Sequence, residues 1–207
     1  RPISTGHPAY LKDTLDFLNK IRGKKIPKNA ILVTADVSSL STNMELTRTL
    51  EVVKEAMKKH PNVKRPDNLL LELLEITLRN NDFTFNGEYF LQICGIAMGK
   101  TYAPGLADLY LEYLDDRAMY GFKINPHLYY RFLDDLFFIW LGKIEELKEF
   151  ENYINSLIPG IKVTFTWSSD EVNFLDTTVY KCDESEDVCS LQTRVYFKET
   201  DTHQLLH

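Results

Sequence analysis

Two adjacent aspartates interrupt one of the most apolar segments of the chain, RFLDDLFFIW at residues 131–140. The flanking residues are typical of buried strands, but neighbouring carboxylates ionise with difficulty when they are removed from water. A hairpin accommodates both, because its strands can be buried while its bend stays open. The segment therefore predicts strands at residues 129–133 and 136–141, with Asp134 and Asp135 at the bend.

A third carboxylate lies near the end of another apolar segment, AILVTADV at residues 30–37. This short run is rich in β-branched residues, which favours a buried strand with Asp36 near its carboxyl end. If this strand lies beside the hairpin, Asp36, Asp134 and Asp135 meet at one edge of the sheet. A few carboxylates with room for water and phosphate oxygens suit Mg²⁺ or Mn²⁺ better than a metal that prefers nitrogen or sulfur.

Two divalent ions at such an edge would activate an attacking hydroxyl and stabilise the leaving oxygen in phosphoryl transfer. Without a metal, the neighbouring carboxylates should titrate as a coupled set. Aspartate is also common where a hairpin bends, so the letters LDDL taken alone favour an ordinary turn. The acids on their own leave both interpretations open.

The remaining pattern alternates helices with short strands. The segment NNDFTFNGEYFLQ alternates aromatic and polar residues around Asn86-Gly87, which predicts a second hairpin. Leu11, Leu15, Leu18 and Ile21 form the predicted apolar face of the first helix. Helices are predicted at residues 10–21, 46–60, 66–79, 104–120 and 144–157, and the segments IKVTFTW, EVNFLDTTVY and SLQTRVYF are predicted to form a C-terminal antiparallel meander. This order indicates an α+β fold whose helices cover the back of an antiparallel sheet and leave a cleft in front.

Composition narrows the class of protein further. The 207-residue chain has a formal net charge of −6, which argues against a nucleic-acid binder because phosphate contacts favour clustered Lys and Arg. Its three cysteines fit neither a fully paired disulfide set nor a zinc spacing, so we expect a reducing intracellular compartment, nuclear or cytoplasmic. No apolar run approaches the roughly 18 residues of a membrane span. We therefore expect one soluble domain without membrane contact, and the initial Arg1 suggests that it is excised from a longer protein.

Three segments resemble the catalytic motifs of reverse transcriptases and occur in the same order. LVTADVSSLSTNM resembles motif A (residues 31–44), GIAMGKTYAPGLADLY resembles motif B (within residues 92–110) and RFLDDLFFIW resembles motif C (within residues 129–141). The residues of these motifs are most similar to those of Penelope-like retroelements. The other matching segments are RPIS, AYLKDTLDFLNKI, NNDFTFNGEYFLQICG, SSDEVNFLDTTVY and YFKETDTHQLLH, so the resemblance covers nearly the whole chain.

The resemblance implies a right-hand polymerase palm with partial fingers. It divides the chain into partial fingers with an N-terminal helix at residues 1–30, the palm at residues 31–180, and a connection towards a missing thumb at residues 181–207. The implied activity is that of an RNA-directed DNA polymerase, which extends a DNA primer on an RNA template from deoxynucleoside triphosphates. The thumb and the GIY-YIG endonuclease of many such elements are expected to lie outside this chain.

The resemblance also assigns roles to particular residues. Asp36 and Asp134 would be metal ligands, with Asp135 in support, and the backbone carbonyl of Val37 would add an oxygen. The segment Phe174-Leu175-Asp176 resembles the element that grips the primer end, although a half-buried strand explains it equally well. The residues implied to line the nucleotide and template pocket are Gln92, Gly95, Met98 and Gly99, whose glycines also fit an ordinary turn before a helix.

One position departs from the family pattern. Ser41 stands where the family commonly has a tyrosine whose ring lies under the sugar and excludes a 2′-hydroxyl. A serine leaves that space open, so we expect weak discrimination between deoxyribonucleotides and ribonucleotides. The stretch between RPIS and AYLKDTLDFLNKI is also shorter than the family pattern, so part of the fingers is expected to be absent. Ser41, these shortened fingers and the missing thumb favour the alternative of a non-catalytic descendant that keeps the palm as a binding or structural module. A metal-dependent nuclease using the same acids fits less well, because motif B serves nucleotide selection.

Overall fold

The computed structural model of the protein describes residues 5–97 and 99–197. Helices and short strands alternate along these residues, as the sequence pattern predicts. The helices are α1 (Thr14–Ile21), α2 (Leu40–Asn43), α3 (Leu46–Lys59), α4 (Asp67–Arg79), α5 (Ala103–Tyr120) and α6 (Ile144–Leu157). The strands are β1 (Lys25–Pro27), β2 (Ile31–Ser38), β3 (Asp82–Phe85), β4 (Glu88–Leu91), β5 (His127–Phe132), β6 (Asp135–Trp140), β7 (Lys162–Ser168), β8 (Glu171–Phe174), β9 (Thr177–Asp183) and β10 (Val188–Val195).

The strands form two antiparallel sheets and a separate ribbon. The central sheet has the order β5-β6-β2-β7, and the second sheet has the order β1-β10-β9-β8. The prediction of one C-terminal meander is wrong for β7, which pairs with β2 instead of β8. Beside β2, the alternation of β7 places Val163 and Phe165 in the helix-covered core, while its threonines face the other side.

Helices pack on one face of the central sheet and form the larger core. Every second strand residue points there, and Val33, Phe138 and Trp140 are fully buried against α5 and α6. The ring of Phe150 on α6 stacks on Trp140 with centroids 5.1 Å apart. This face confirms the predicted α+β architecture, since the apolar residues of the helices and of the sheet bury one another.

The opposite face of the central sheet is partly covered, although the sequence predicted an open cleft along it. Leu32, Phe137 and Ile139 point to this face and are fully buried beneath α1 and the second sheet. Phe17 of α1 contacts both Phe137 and Phe174 of β8, with ring centroids 5.0 and 4.7 Å away. The cleft is therefore confined to the carboxyl end of β2.

Helix α1 is shorter than predicted, and its buried face is different. The Asp13 carboxylate accepts a hydrogen bond from the Asp16 backbone N–H and so begins the helix at Thr14. Phe17 is fully buried in place of the predicted Leu15, which is 70% exposed. Leu11 precedes the helix in an extended segment, so it does not set the helical phase.

The ribbon of β3 and β4 forms at the predicted Asn86-Gly87 turn, where both residues have positive φ angles of 51° and 82°. Phe83 and Phe90 stack across the ribbon, and both remain substantially exposed. Neighbouring α4 likewise leaves several leucines in contact with solvent. The ribbon forms a separate sheet, to which no other strand of residues 5–97 and 99–197 is added.

No helix within the described residues has both the length and the apolar character needed to cross a membrane.

Candidate active site

The three aspartates predicted from the sequence come together at the open end of the central sheet. Asp36 on β2 lies directly opposite Asp135 on β6 in the antiparallel register, so both side chains project from the same face. The next residue along β2, Val37, donates its backbone N–H to the carbonyl oxygen of Asp134 at 2.9 Å. This bond draws the bend between β5 and β6 against the end of β2, and it places the backbone of Val37 beside Asp134.

A cavity of about 380 Å³ opens in front of these acids. Its floor comes from the central sheet and its wall from the second sheet. None of its lining residues is basic. The lining residues are Thr34, Ala35, Asp36, Asp135, Thr164, Thr166, Asn173, Phe174 and Leu175. We call this space the acid cavity.

Period-two alternation explains the polar floor of the acid cavity. Thr34 precedes Asp36 on the same face of β2, and Thr164 and Thr166 of β7 lie opposite Asp36 and Thr34 respectively. Further back on the same face, Leu32 is apolar and covered. These threonines were not predicted from the sequence, although the alternation in IKVTFTW indicates them once β7 is placed beside β2.

The segment that resembles the primer grip lies at the wall of the acid cavity. Phe174 and Leu175 line it, and Phe174 also packs in the smaller core. Asp176 is not among the lining residues, and its carboxylate accepts a hydrogen bond from the hydroxyl of Thr14 at 3.2 Å. The segment is therefore the half-buried end of a strand, and it also faces the acids. Neither interpretation of it is excluded by this position.

The glycine-rich turn of the motif B segment packs directly on the loop after β2. The N–H of Gly95 donates to the carbonyl of Met44 at 3.1 Å, and the N–H of Ile96 donates to the carbonyl of Ser41 at 2.6 Å. Gly95 has a φ angle of +80°, and a Cβ placed there would lie 2.5 Å from the Ser41 oxygen. The two segments are thus in backbone contact, with Ser41 half-buried on α2.

Gln92 and Gly99, which were also predicted to line the pocket, do not line the acid cavity. The Gln92 side chain donates to the carbonyl of Cys94 at 2.8 Å and accepts from the Asn81 amide at 2.6 Å, so it fastens the base of the ribbon. Gly99 is exposed and has a φ angle of +84°. Met98 lies outside the described residues.

Comparison with solved structures finds polymerases with a similar fold. Apo telomerase from Candida tropicalis matches with a TM-score of 0.65 and 14% identity, over 85% of this chain and 36% of that one. Telomerase from Candida albicans, in complex with a fragment of telomeric RNA, matches with a TM-score of 0.67 and 10% identity, over 86% and 37% of the two chains. The RNA-dependent RNA polymerase of a human picorbirnavirus matches with a TM-score of 0.57 and 16% identity, over 74% and 29%.

The chain has the fold of a polymerase palm. At these identities the likeness concerns the fold alone, and the palm spans between about a third and two fifths of the length of the telomerase chains that it matches. No protein-family model matches the chain. No curated protein matches it either.

The acids of the palm repel one another. Burial raises the pKa of the Asp134 carboxyl, and the neighbouring charges of Asp135 and Asp36 raise it further, while Arg131 lowers it. Asp36 accepts a hydrogen bond from the Ser38 hydroxyl at 3.0 Å. The palm therefore concentrates negative charge at this end of the sheet without a basic residue in the cavity lining.

The donor atoms at this end fit a hard divalent cation. They are carboxylate oxygens, threonine hydroxyls and the Asn173 amide, whereas no thiol or imidazole lines the cavity. Within residues 5–97 and 99–197, no three His, Cys, Asp or Glu side chains are close enough to form a ready-made metal site. The palm residues nevertheless fit Mg²⁺ or Mn²⁺ with water and substrate oxygens as further ligands.

Replacement of Asp134 by asparagine is expected to stabilise the palm when divalent metal is removed. Because the pKa of Asp134 is higher in the folded than in the unfolded chain, its ionisation disfavours folding, and stability falls as the pH rises through the folded pKa. We expect the melting temperature in EDTA at pH 7 to rise by about 3 °C, or about 1 kcal/mol. The gain should shrink as the pH falls through the pKa of Asp134, since the wild-type carboxyl becomes protonated there. A lower melting temperature for the variant in EDTA would contradict this electrostatic account.

Proposed function

We propose that this palm is the catalytic core of an RNA-directed DNA polymerase of a Penelope-like retroelement. In this proposal it extends a DNA primer on an RNA template from deoxynucleoside triphosphates. The observation that carries the proposal is the register of Asp36 with Asp135, with Asp134 drawn against the same strand end. The order of the three sequence motifs and the telomerase-like fold support it.

Asp36 and Asp134 would hold the divalent cations, with Asp135 and the backbone carbonyl of Val37 in support. Two cations held there would lower the pKa of the primer hydroxyl and neutralise charge on the transferred phosphoryl group and on the leaving pyrophosphate. The cavity wall at Leu175 would orient the primer end by direct contact. Fixed geometry of this kind lowers the barrier because the reacting groups no longer lose their freedom of motion during the reaction.

The remaining surfaces of the acid cavity also suit this role. The threonine row on β2 and β7 offers uncharged hydroxyls, which can hydrogen-bond phosphate or sugar oxygens without adding charge. The backbone contact between Gly95 and the loop of Ser41 would hold the nucleotide-selecting segments next to the acids. Nucleic-acid partners are further supported by the telomeric RNA fragment bound by the Candida albicans telomerase of the same fold.

Primer extension tests the proposal directly. The purified chain, a DNA primer annealed to an RNA template, deoxynucleoside triphosphates and Mg²⁺ should give extended primer, which is resolved on a denaturing gel. A parallel reaction in EDTA should give none. Absence of extension together with unimpaired RNA–DNA binding would favour the alternative of a non-catalytic palm that acts as a binding module.

Substitution of Ser41 by tyrosine is expected to restore sugar discrimination. The wild type should incorporate ribonucleotides and deoxyribonucleotides with similar kcat/KM, because a serine leaves room for a 2′-hydroxyl. The tyrosine variant should prefer deoxyribonucleotides by at least about tenfold, since a steric clash penalises only one of the two substrates. Single-nucleotide incorporation kinetics with both triphosphates measure the ratio.

The neighbouring substitution Thr42→Tyr is a matched control, because it adds the same ring at an exposed position of α2. Its ratio of kcat/KM values should equal that of the wild type. Strong rejection of ribonucleotides by the wild type would show that discrimination does not depend on the side chain at residue 41.

A further inference from the structure

We propose that Arg131 is a positioning residue, which holds the bend carrying Asp134 against helix α5 and thereby sets the geometry of the divalent-cation site. This inference rests on the proposed function, because it concerns the cation site that the function requires. Arg131 itself lies beneath the bend and is not among the residues lining the acid cavity.

The guanidinium of Arg131 connects the bend to the helix. The side chain is buried, with 1% of it exposed. Its Nε donates to Asp115 at 2.8 Å, and its Nη1 donates to the Asp108 carboxylate at 3.0 Å. Its Nη2 donates to the backbone carbonyl of Asp108 at 3.1 Å, and Nη1 also donates to the carbonyl of Leu133 at 3.2 Å. One planar group therefore joins α5 to the residue that immediately precedes Asp134.

The bond to Leu133 acts on a strained turn. Leu133 has a φ angle of +50°. This is a left-handed backbone conformation, which residues other than glycine adopt at a cost of about 1 kcal/mol. The hydrogen bond from Arg131 holds the Leu133 carbonyl on one side of the bend. On the other side, Val37 bonds to the carbonyl of Asp134. The carbonyl groups on either side of the Asp134 Cα are thus held by different elements. This fixes the position from which the Asp134 side chain projects.

The backbone of Arg131 is held as firmly as its side chain. Its N–H donates to the carbonyl of Ala9 at 2.7 Å, and its carbonyl accepts from the N–H of Leu11 at 2.8 Å. These bonds place the segment before α1 alongside β5. Because both ends of Arg131 are fixed, the guanidinium can act as a rigid spacer between α5 and the bend.

One guanidinium, that of Arg131, faces the two buried carboxylates of Asp108 and Asp115. Asp115 is fully buried and also accepts a hydrogen bond from the Tyr129 hydroxyl at 3.1 Å, while His7 approaches it to 3.7 Å. Burial lowers the pKa of the Arg131 guanidinium, but Asp115 and Asp108 more than offset this, so Arg131 stays charged. Buried ion pairs of this kind are often no more stabilising than apolar residues of the same volume. A role in positioning therefore accounts for the cluster better than stability alone.

Arginine is required because of its shape. A lysine carries the same charge on a single nitrogen, which cannot reach Asp108, Asp115 and the Leu133 carbonyl together. Arg131→Lys should therefore keep the balance of charge in the core while releasing the bend. We expect the variant to fold and to bind Mn²⁺ about tenfold more weakly than the wild type, which corresponds to about 1.4 kcal/mol.

The experiment measures Mn²⁺ binding by electron paramagnetic resonance and thermal stability by circular dichroism, on wild type, Arg131→Lys and the control Arg194→Lys. Arg194 forms an exposed two-oxygen contact with Glu171 on the second sheet, so its lysine variant should bind Mn²⁺ as the wild type does. A matched measurement of extension rate against Mn²⁺ concentration should show that the Arg131→Lys defect is reduced at high Mn²⁺. A role confined to stability would not shift the Mn²⁺ dependence.

The uncharged triple variant Arg131→Met, Asp108→Asn, Asp115→Asn covers the case in which Arg131→Lys does not fold. It removes the buried charges together and should also bind Mn²⁺ weakly while remaining folded. Folded variants with Mn²⁺ affinity within twofold of the wild type would overturn the positioning role. Unfolding of both variants would also overturn the positioning role, since Arg131 would then be required for folding itself. Absence of Mn²⁺ binding by the wild type would instead refute the cation site of the proposed function.

Discussion

Primer extension is expected to fall by at least about a thousandfold when Asp36 is replaced by asparagine, because the divalent cations lose a charged ligand from the strand that faces Asp135. Asparagine keeps the size of the side chain and its capacity to accept a hydrogen bond from Ser38. The expected loss therefore reports the missing charge and not a change of shape. Rates are compared at saturating Mg²⁺ and primer–template.

Two further measurements separate a catalytic loss from a structural one. Asp36→Asn should melt no lower than the wild type in EDTA, since it removes a charge from a crowded acidic site. The control Asp187→Asn, in the exposed turn between β9 and β10, should extend primers at the wild-type rate. Extension by Asp36→Asn within tenfold of the wild type would remove Asp36 from the proposed cation site.

Gly95→Ala is expected to lower the free energy of unfolding by on the order of 3 kcal/mol and to abolish extension. The new Cβ would lie 2.5 Å from the Ser41 carbonyl oxygen and 2.7 Å from that of Thr42. Both contacts are with backbone, so no flexible side chain can move aside. The φ angle of +80° adds strain for any residue other than glycine. Urea denaturation followed by circular dichroism measures the loss.

Gly23→Ala is the matched control for that prediction. Gly23 also has a positive φ angle, of +68°, but no atom lies within 4 Å of the position of an added Cβ. It should lose only about 1 kcal/mol, from backbone strain alone. Equal losses for the two variants would show that the contact between Gly95 and the Ser41 loop does not constrain the palm.

Local signals predicted many of the elements well. Asn86-Gly87 supplies two positive φ angles, so the β3–β4 ribbon forms where the turn chemistry requires it. The bend at Asp134 follows from apolar runs on both sides of polar residues. On α1, Ile21 is buried as predicted but Leu15 is exposed, because Asp13 begins the helix later than the leucine spacing implied. Short-range chemistry therefore outweighed periodicity at that end.

Long-range pairing was beyond the sequence pattern. The segment IKVTFTW alternates as a strand in any sheet, and nothing local states that β7 pairs with β2 instead of β8. The threonine row of the acid cavity was missed for that reason. Arg131 was likewise visible only as a charge in an apolar run, since its partners on α5 are distant in sequence. The spacing of the acids alone did not show that they share one site. That prediction came from the resemblance to reverse transcriptases.

The acid cavity is bounded by parts of two different sheets. Its floor carries the aspartates, whereas Phe174 and Leu175 belong to the edge of the second sheet. The rings of Phe17, Phe137 and Phe174 pack against one another between floor and wall, and Phe174 itself lines the cavity. A loosened contact in this apolar cluster is therefore expected to change the width of the opening, and with it the fit of a substrate, while the carboxylates of the central sheet stay in place.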